Sequence, residues 1–355
     1  ERGGTPLRLA RLAHSLRAAG VDVHVGCLAA AGPVSRDLEH AGVPTFACGA
    51  RRARDVQALW RLRGHVRRIA PDLIHSTLMH ANVAARLVGA WCGVPVLGST
   101  ATLEIERRWH VRMERWTGRL ERGHIVNSSA LAAHVVERFG RPRALVHVIP
   151  PSVTPPPRQE RAAARARLEL PADAFVVLWA GRFDPVKRVD VVVRCAERIR
   201  TPAVFLLAGD GPARSTIGAA VARSPARERI RLLGWQPDLA PALSAADAFL
   251  LPSDTEGVPN ALLEALTFGL PCVARDLPTL RELAGDPTRL RLIAGDDAAA
   301  YAAALDELAD DAELRRRLAD TAPLWSEDRF TSAAAARAVL AIYRRVVNSG
   351  RGNGS

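Results

Sequence analysis

Short β-branched runs alternate with longer amphipathic runs along this whole chain, and that alternation leaves few folds open. DVHVGCL (22–28), LIHSTL (73–78), PVLGST (95–100), HIVNSS (124–129) and VHVIP (146–150) read as strands separated by helical stretches. Strands spaced in this way pair in parallel through crossover helices, so the fold class is α/β. The pattern stops at PPSVTPPPR (150–158), where five prolines remove backbone donors and stiffen the chain. It restarts with FVVLWAGRF (175–183), AVFLLAGDG (203–211), RIRLLGW (229–235), AFLLPS (248–253), PCVAR (271–275) and RLRLIAG (289–295). Two doubly wound, Rossmann-like parallel-sheet domains are expected, over 1–150 and 159–330, joined by a Pro-rich linker at 151–158. A helix over 331–347 and a disordered polar tail over 348–355 follow. In such folds ligands bind outside the carboxyl ends of the strands, so both sheets are expected to face one cleft.

The chain of 355 residues is 48% apolar and 24% charged, which excludes a disordered or collagen-like protein. No window of about 18 residues lacks charge, and ERGGTPLRLA has no basic start followed by an apolar run, so a soluble, cytoplasmic chain is expected. Its five cysteines are scattered without CxxC spacing, which argues against a zinc site or a disulfide framework. Residues 1–157 hold 22 arginines against 11 acidic residues, whereas 158–355 hold 27 basic residues against 26 acidic. The asymmetry points to an anionic partner for the first half, or to no more than an Arg-rich composition. In a doubly wound domain a Gly-rich turn follows a strand, yet Gly3-Gly4 have two residues before them; the first strand of the first domain is expected to precede this sequence.

Chemistry concentrates in the second half. Gly181-Arg182-Phe183-Asp184-Pro185-Val186-Lys187 follows the strand at 175–180 and carries two cations to the expected start of a helix, a combination suited to a diphosphate. Lys187 is the one lysine among 49 Lys and Arg residues, so a point charge stands here in a chain that elsewhere uses guanidinium. Glu256-Gly257-Val258-Pro259-Asn260 then follows the strand at 248–253. Pro259 and Asn260 open a helix whose free amides can bind phosphate or sugar oxygens. Glu264 lies about one turn inside it, within reach of a vicinal diol, while Glu256 stays in the loop.

These residues, with the AGDGP turn (208–212), LGWQPDL (233–239) and LSAADAFLLPS (243–253), resemble the donor-binding half of glycosyltransferase family 4. Gly3-Gly4, PDLIH (71–75), the IVNSS turn and VIPPSV match its first domain more loosely. The resemblance implies the GT-B fold and a retaining, metal-independent, cofactor-free transfer from a nucleoside-diphosphate sugar to a glycan or lipid-linked acceptor. It implies that Arg182 and Lys187 bind the diphosphate, with Gly181 and Gly209 in the same cradle. Glu264 is then expected on the ribose, and Glu256 with the amides of 257–260 on the donor sugar. Arg182, Lys187 and Glu256 would carry catalysis by stabilising charge on the leaving group and the sugar. Gly3, Gly4 and His80 would lie on the acceptor side.

Two departures from the family stand out. Ala101 falls where a histidine usually contacts the donor sugar, leaving His80 and His110 as stand-ins, and Pro151-Ser152 replaces an Asn-Gly. RRARDVQALWRLRGHVRRIA (51–70) reads as a basic amphipathic helix: Val56, Leu59, Trp60, Leu62, Val66 and Ile69 form its apolar arc, and Arg54, Arg61 and Arg68 a row opposite. It is either a solvated surface helix or a dock for an anionic membrane surface, which would place the protein peripherally on the inner membrane face. A catalytically silent sugar-nucleotide binder is the main alternative. A dinucleotide-dependent oxidoreductase fits poorly, because Gly209-Asp210-Gly211-Pro212-Ala213-Arg214 ends in Arg and puts proline where helix amides should meet a pyrophosphate. Nucleic acid is not an expected partner, since no recognised module accompanies the charge.

Overall fold

The computed structural model describes residues 4–52, 55–101, 108–153, 156–285, 289–321 and 331–351. The chain divides into two compact units, residues 1–152 with 329–355, and residues 153–328.

In the first unit, α1 (Gly4–Ala18) leads to β1 (Val25–Cys27), α2 (Pro33–His40), β2 (Thr45–Ala47), α3 (Val56–Ile69), β3 (Ile74–His75) and α4 (Met79–Cys92). Then come β4 (Val96–Thr100), α5 (Arg108–Thr117), β5 (Gly123–Val126), α6 (Ser129–Phe139) and β6 (Val146–Val148). All pairings are parallel, as a chain with a helix between successive strands requires. Among the described residues the strands form two sheets, β1-β2 and β3-β4-β5-β6. The core around Leu97, Ile125 and Ile149 also takes in Val339, Ile342 and Val346 from the last helix.

The second unit opens with α7 (Arg161–Arg167), followed by β7 (Phe175–Ala180), α8 (Val189–Arg198), β8 (Ala203–Ala208), α9 (Arg214–Arg223), β9 (Ile230–Gly234) and α10 (Ala240–Ala245). It continues with β10 (Ala248–Leu251), α11 (Asn260–Thr267), β11 (Cys272–Arg275), α12 (Pro278–Ala284), β12 (Arg291–Ile293), α13 (Ala298–Asp310) and α14 (Ala312–Thr321). Its six parallel strands run β12-β11-β10-β7-β8-β9. Every residue of FVVLWA in β7 is buried, as a central strand covered on both faces demands. The order reverses between β7 and β10, so the loops after these two strands leave the sheet side by side.

Several boundaries differ from expectation. The last helix, α15, spans Ser332–Arg351, longer than the expected 331–347, and belongs to the first unit. Its apolar stripe fills the first unit's core, and the helix runs on through Asn348 and Ser349, where the Ser349 hydroxyl donates to the Val346 carbonyl. Residues 348–351 are therefore helical, and 352–355 lie outside the described residues. The boundary between the units falls after Ser152, within the Pro-rich stretch 151–158, and Arg158 at the end of that stretch donates to the Phe268 carbonyl and stacks over its ring. The short strand β2 was not expected.

Helix α3 is shorter than 51–70 and starts after Asp55, whose carboxylate accepts from the Ala58 amide. Val56 and Trp60 of the expected apolar arc are exposed, while Ala58 and Val66 are buried. The inward face is set by contact with α4 and not by hydropathy alone. Arg61 donates to the Cys48 carbonyl at 2.9 Å and so holds structure, and Arg54 lies outside the described residues. The five cysteines are free, with Cys48, Cys195 and Cys272 buried.

Candidate active site

Both loops that carry the expected site leave the sheet at its β7–β10 reversal. After β7 the Gly181 amide donates to the Ala208 carbonyl, and the Phe183 amide to the Asp210 carbonyl, which ties the first loop to the turn after β8. Gly209 is required there. A Cβ on it would lie 1.8 Å from the Gly181 carbonyl oxygen, so no larger residue lets the two loops meet. Gly211 presses on the Phe183 backbone in the same way.

Arg182 is about half exposed, and its guanidinium donates to Asp184 at 3.2 Å. Asp184 caps a single 3-10 turn, Pro185–Lys187. Lys187, expected at the start of the next helix, ends this turn, and α8 begins two residues later at Val189. The cause is Arg188, which adopts a left-handed φ of 49° that breaks the helix from the turn. Three carboxylates hold that unfavourable conformation: Arg188 pairs with Asp190 and Asp254 at 3.0 Å and with Asp296 at 2.9 Å. The hydrogen bonds that Arg188 donates to Asp190, opposed by burial and aided by those it donates to Asp296 and Asp254, push its pKa further up.

On the second loop Glu256 is buried, with its backbone carbonyl accepting from the Thr279 hydroxyl at 2.9 Å. Its carboxylate oxygen Oε1 lies 2.6 Å from Lys187 Nζ. Gly257 and Val258 are buried beside it, and Pro259 is the cap residue of α11, offering no side-chain acceptor to the helix amides. Such a helix start suits an anion. Glu264 is the fifth residue of α11 and partly buried. Ser253 Oγ, fully buried at the root of the loop, has no protein partner.

On the first unit, Gly4 opens α1 and Gly3 lies outside the described residues. His80 is exposed in the first turn of α4 and meets Trp109 and His110 edge-on, with centroid distances of 5.9 and 5.7 Å. Ala101 is buried at the end of β4.

Two features escaped the sequence reading. One is the Arg188 clamp, hidden because its carboxylates lie up to 108 positions away. The other is a buried charge network in the first unit. Arg86, Glu114, Glu121, His124 and Arg141 are each at most 4% exposed. Arg86 binds Glu114 and Glu121, each at 2.7 Å, and Arg141 binds the same two carboxylates. Isolated Arg and Glu residues in helices read as surface; the available signal was Gly98 and Gly118, whose Cβ atoms would collide with Glu121 and Arg141.

Comparison with known proteins identifies the family. Residues 3–152 match the family model of the glycosyl transferase 4-like domain, and 174–311 that of glycosyl transferases group 1. The chain belongs to this glycosyltransferase family. It is 37% identical over 111 residues to the lipopolysaccharide core biosynthesis glycosyltransferase LpsD of Rhizobium meliloti, covering 31% of this chain and 32% of that protein. It is 27% identical to the UDP-Gal:alpha-D-GlcNAc-diphosphoundecaprenol alpha-1,3-galactosyltransferase of Escherichia coli, over 66% of this chain and 65% of that one. The matched stretches thus span from about a third to just under two thirds of these relatives. Among solved structures, Anabaena Alr3699/HepE in complex with UDP and glucose superposes with a TM-score of 0.86 at 19% identity, covering 97% of each chain, and shares the GT-B fold.

Proposed function

We propose that this chain transfers a sugar from a nucleoside-diphosphate sugar to an acceptor hydroxyl, with retention at the anomeric carbon and without a metal or cofactor. The observation that carries the reading is the Lys187–Glu256 contact: a cation for the diphosphate and a carboxylate for the sugar, side by side at the sheet reversal. When the nucleoside diphosphate leaves, negative charge grows on the β-phosphate and positive charge on the sugar ring. Lys187, Arg182 and the start of α11 stabilise the first, and Glu256 the second. Glu264 takes the ribose diol. The first unit takes the acceptor, which the name of the E. coli relative suggests is lipid-linked. Among the described residues no helix is long and apolar enough to cross a membrane.

A panel of UDP- and GDP-sugars, read by nucleoside diphosphate released with and without EDTA, tests the reading. Turnover abolished by EDTA would overturn metal independence. Ala101 favours a second reading, a binder without turnover, because a buried methyl stands where the family usually has a histidine. Tight UDP-sugar binding with no release of UDP under any acceptor would decide for that one.

A further inference from the structure

The first unit holds a half-open pocket at the carboxyl ends of β3, β4 and β5. Leu9 and Leu12 of α1 and Val339 of α15 form apolar wall; His75, Thr100 and Asn127 supply polar groups. Two of these carry buried atoms without a protein partner. Asn127 is 6% exposed, and its Nδ2 donates to the Ala101 carbonyl at 2.7 Å, which fixes the amide orientation and leaves Oδ1 unpaired. His75 Nδ1 lies 2.7 Å from the Tyr343 hydroxyl, and its Nε2 is buried and unpaired. Buried unpaired polar atoms are costly in a native protein, so two in one pocket call for a ligand.

Thr100 is the third group, and the buried network determines its role. Its Oγ1 lies 2.9 Å from His124 Nε2, while His124 Nδ1 lies 3.0 Å from Glu121 Oε1. Glu121 is bound by the guanidiniums of both Arg86 and Arg141, which keep its carboxylate ionised. An ionised carboxylate only accepts, so Nδ1 carries the ring proton. Two guanidiniums already balance Glu114 and Glu121, and a second ring proton would leave an uncompensated charge at a site with no exposure. Nε2 therefore keeps its lone pair and the Thr100 hydroxyl must donate to it. The Thr100 oxygen then has only acceptor capacity left for the pocket.

We infer that Thr100 Oγ1 and Asn127 Oδ1 are paired acceptors for the hydroxyl groups of a sugar or similar polyol, with Glu121 and His124 as positioning residues that commit Thr100 to accept. This rests on the glycosyl-transfer reading for the ligand's role as acceptor, and on the geometry alone for its chemistry. It also explains Gly98: a Cβ there would stand 2.3 Å from Glu121 Oε2 and 2.8 Å from His124 Nδ1, so the strand must leave room for the network.

The test uses the full chain with ¹⁵N-labelled histidine and methyl α-D-glucoside as the polyol probe. Near neutral pH, His124 is expected as the Nδ1–H tautomer, identified by the loss of its signals in His124→Asn. Thr100→Val, which keeps the shape, should move the Nε2 resonance, and Thr100→Ser should restore it. The glucoside should perturb Nε2 in the wild type and in Thr100→Ser, and bind roughly ten-fold more weakly to Thr100→Val. An imidazolium or Nε2–H ring overturns the inference, and so does an Nε2 resonance that ignores the glucoside in all three proteins. UDP affinity, measured by calorimetry, should be equal in wild type and Thr100→Val. Failure of the wild type to bind UDP would sink the glycosyl-transfer reading by itself and leave the histidine result to decide this one.

Discussion

Lys187 Nζ and Glu256 Oε1, 69 positions apart in sequence, stand 2.6 Å apart, with the carboxylate side chain only 4% exposed. The cation of the proposed diphosphate cradle is held by the carboxylate proposed for the sugar. A diphosphate must share Lys187 with Glu256 or displace it, and the two charges therefore act as one unit. Lys187→Ala should weaken UDP binding by about 1.5–3 kcal/mol, the usual worth of a hydrogen bond to a charged group. Glu256→Gln should leave UDP affinity unchanged or raise it a few-fold, because the competing charge is gone, while lowering turnover of the sugar donor. Calorimetry with UDP and a release assay separate the two; equal loss of UDP affinity in both variants would contradict the division.

Glu264 stands on α11, eight positions after Glu256. If it holds the ribose, Glu264→Gln should weaken UDP and a UDP-sugar by the same factor, because the ribose is common to both. A variant that loses affinity for the sugar donor alone would move Glu264 to the sugar.

Close approach of the loops after β7 and β8 rests on Gly209. Gly209→Ala puts a methyl 1.8 Å from the Gly181 carbonyl oxygen, backbone against backbone, where no rotamer change gives relief. Overpacking of this kind costs about 1–3 kcal/mol. Thermal unfolding should show a lower Tm, and UDP binding should fall with it. Gly218→Ala, in open space on α9, is the control and should not lower the Tm.

How much of this was legible in sequence depends on the range of the cause. Strands such as FVVLWA and AVFLLA announce themselves by continuous apolar runs, and the Gly-Arg and Glu-Gly-Val-Pro-Asn motifs by their place just after strands. β2 escaped because three residues of TFA carry no alternation worth reading. The assignment of α15 to the first unit escaped because hydropathy says that a helix buries a stripe, not which core receives it. Arg86, Glu121 and His124 escaped for a sharper reason: local composition makes charged residues look solvated, and only tertiary pairing makes them fit for burial. The Lys187–Glu256 contact needed the strand order, since only the adjacency of β7 and β10 brings the two loops together.

His75 gives the fold a measurable dependence on pH. Burial lowers its pKa from the usual 6.5 to about 4. Between these values the unfolded chain binds a proton that the folded one refuses, so stability is full above about pH 6.5 and falls as pH drops towards 4. At about 1.4 kcal/mol per pH unit the loss is about 3 kcal/mol. Urea unfolding at a series of pH values should show this slope, and His75→Gln should remove most of it. His65 and His147, also lowered by burial, leave a smaller residual slope. An unchanged slope in His75→Gln would show that the ring is protonated in the fold.

The last prediction concerns the exposed face formed by α3 and α4. Trp60 and Trp91 are each about half exposed and meet edge-on at 4.7 Å, with the Arg63 guanidinium 5.4 Å from one ring centre and 4.5 Å from the other. Arg67 and Arg68 end the same helix. Two half-exposed indoles with adjacent cations match the chemistry of the lipid headgroup region, where rings enter the interface and charges meet anionic lipid. At about 1 kcal/mol per basic residue, the cluster supports weak adsorption that salt reverses. The chain should sediment with phosphatidylglycerol vesicles at low salt, and less at high salt or with neutral phosphatidylcholine. Trp60→Ala with Trp91→Ala should reduce the salt-resistant part, and Arg67→Gln with Arg68→Gln the salt-sensitive part. Adsorption that ignores lipid charge, or that survives all four changes, would detach this face from the membrane and leave the Arg-rich composition as its cause.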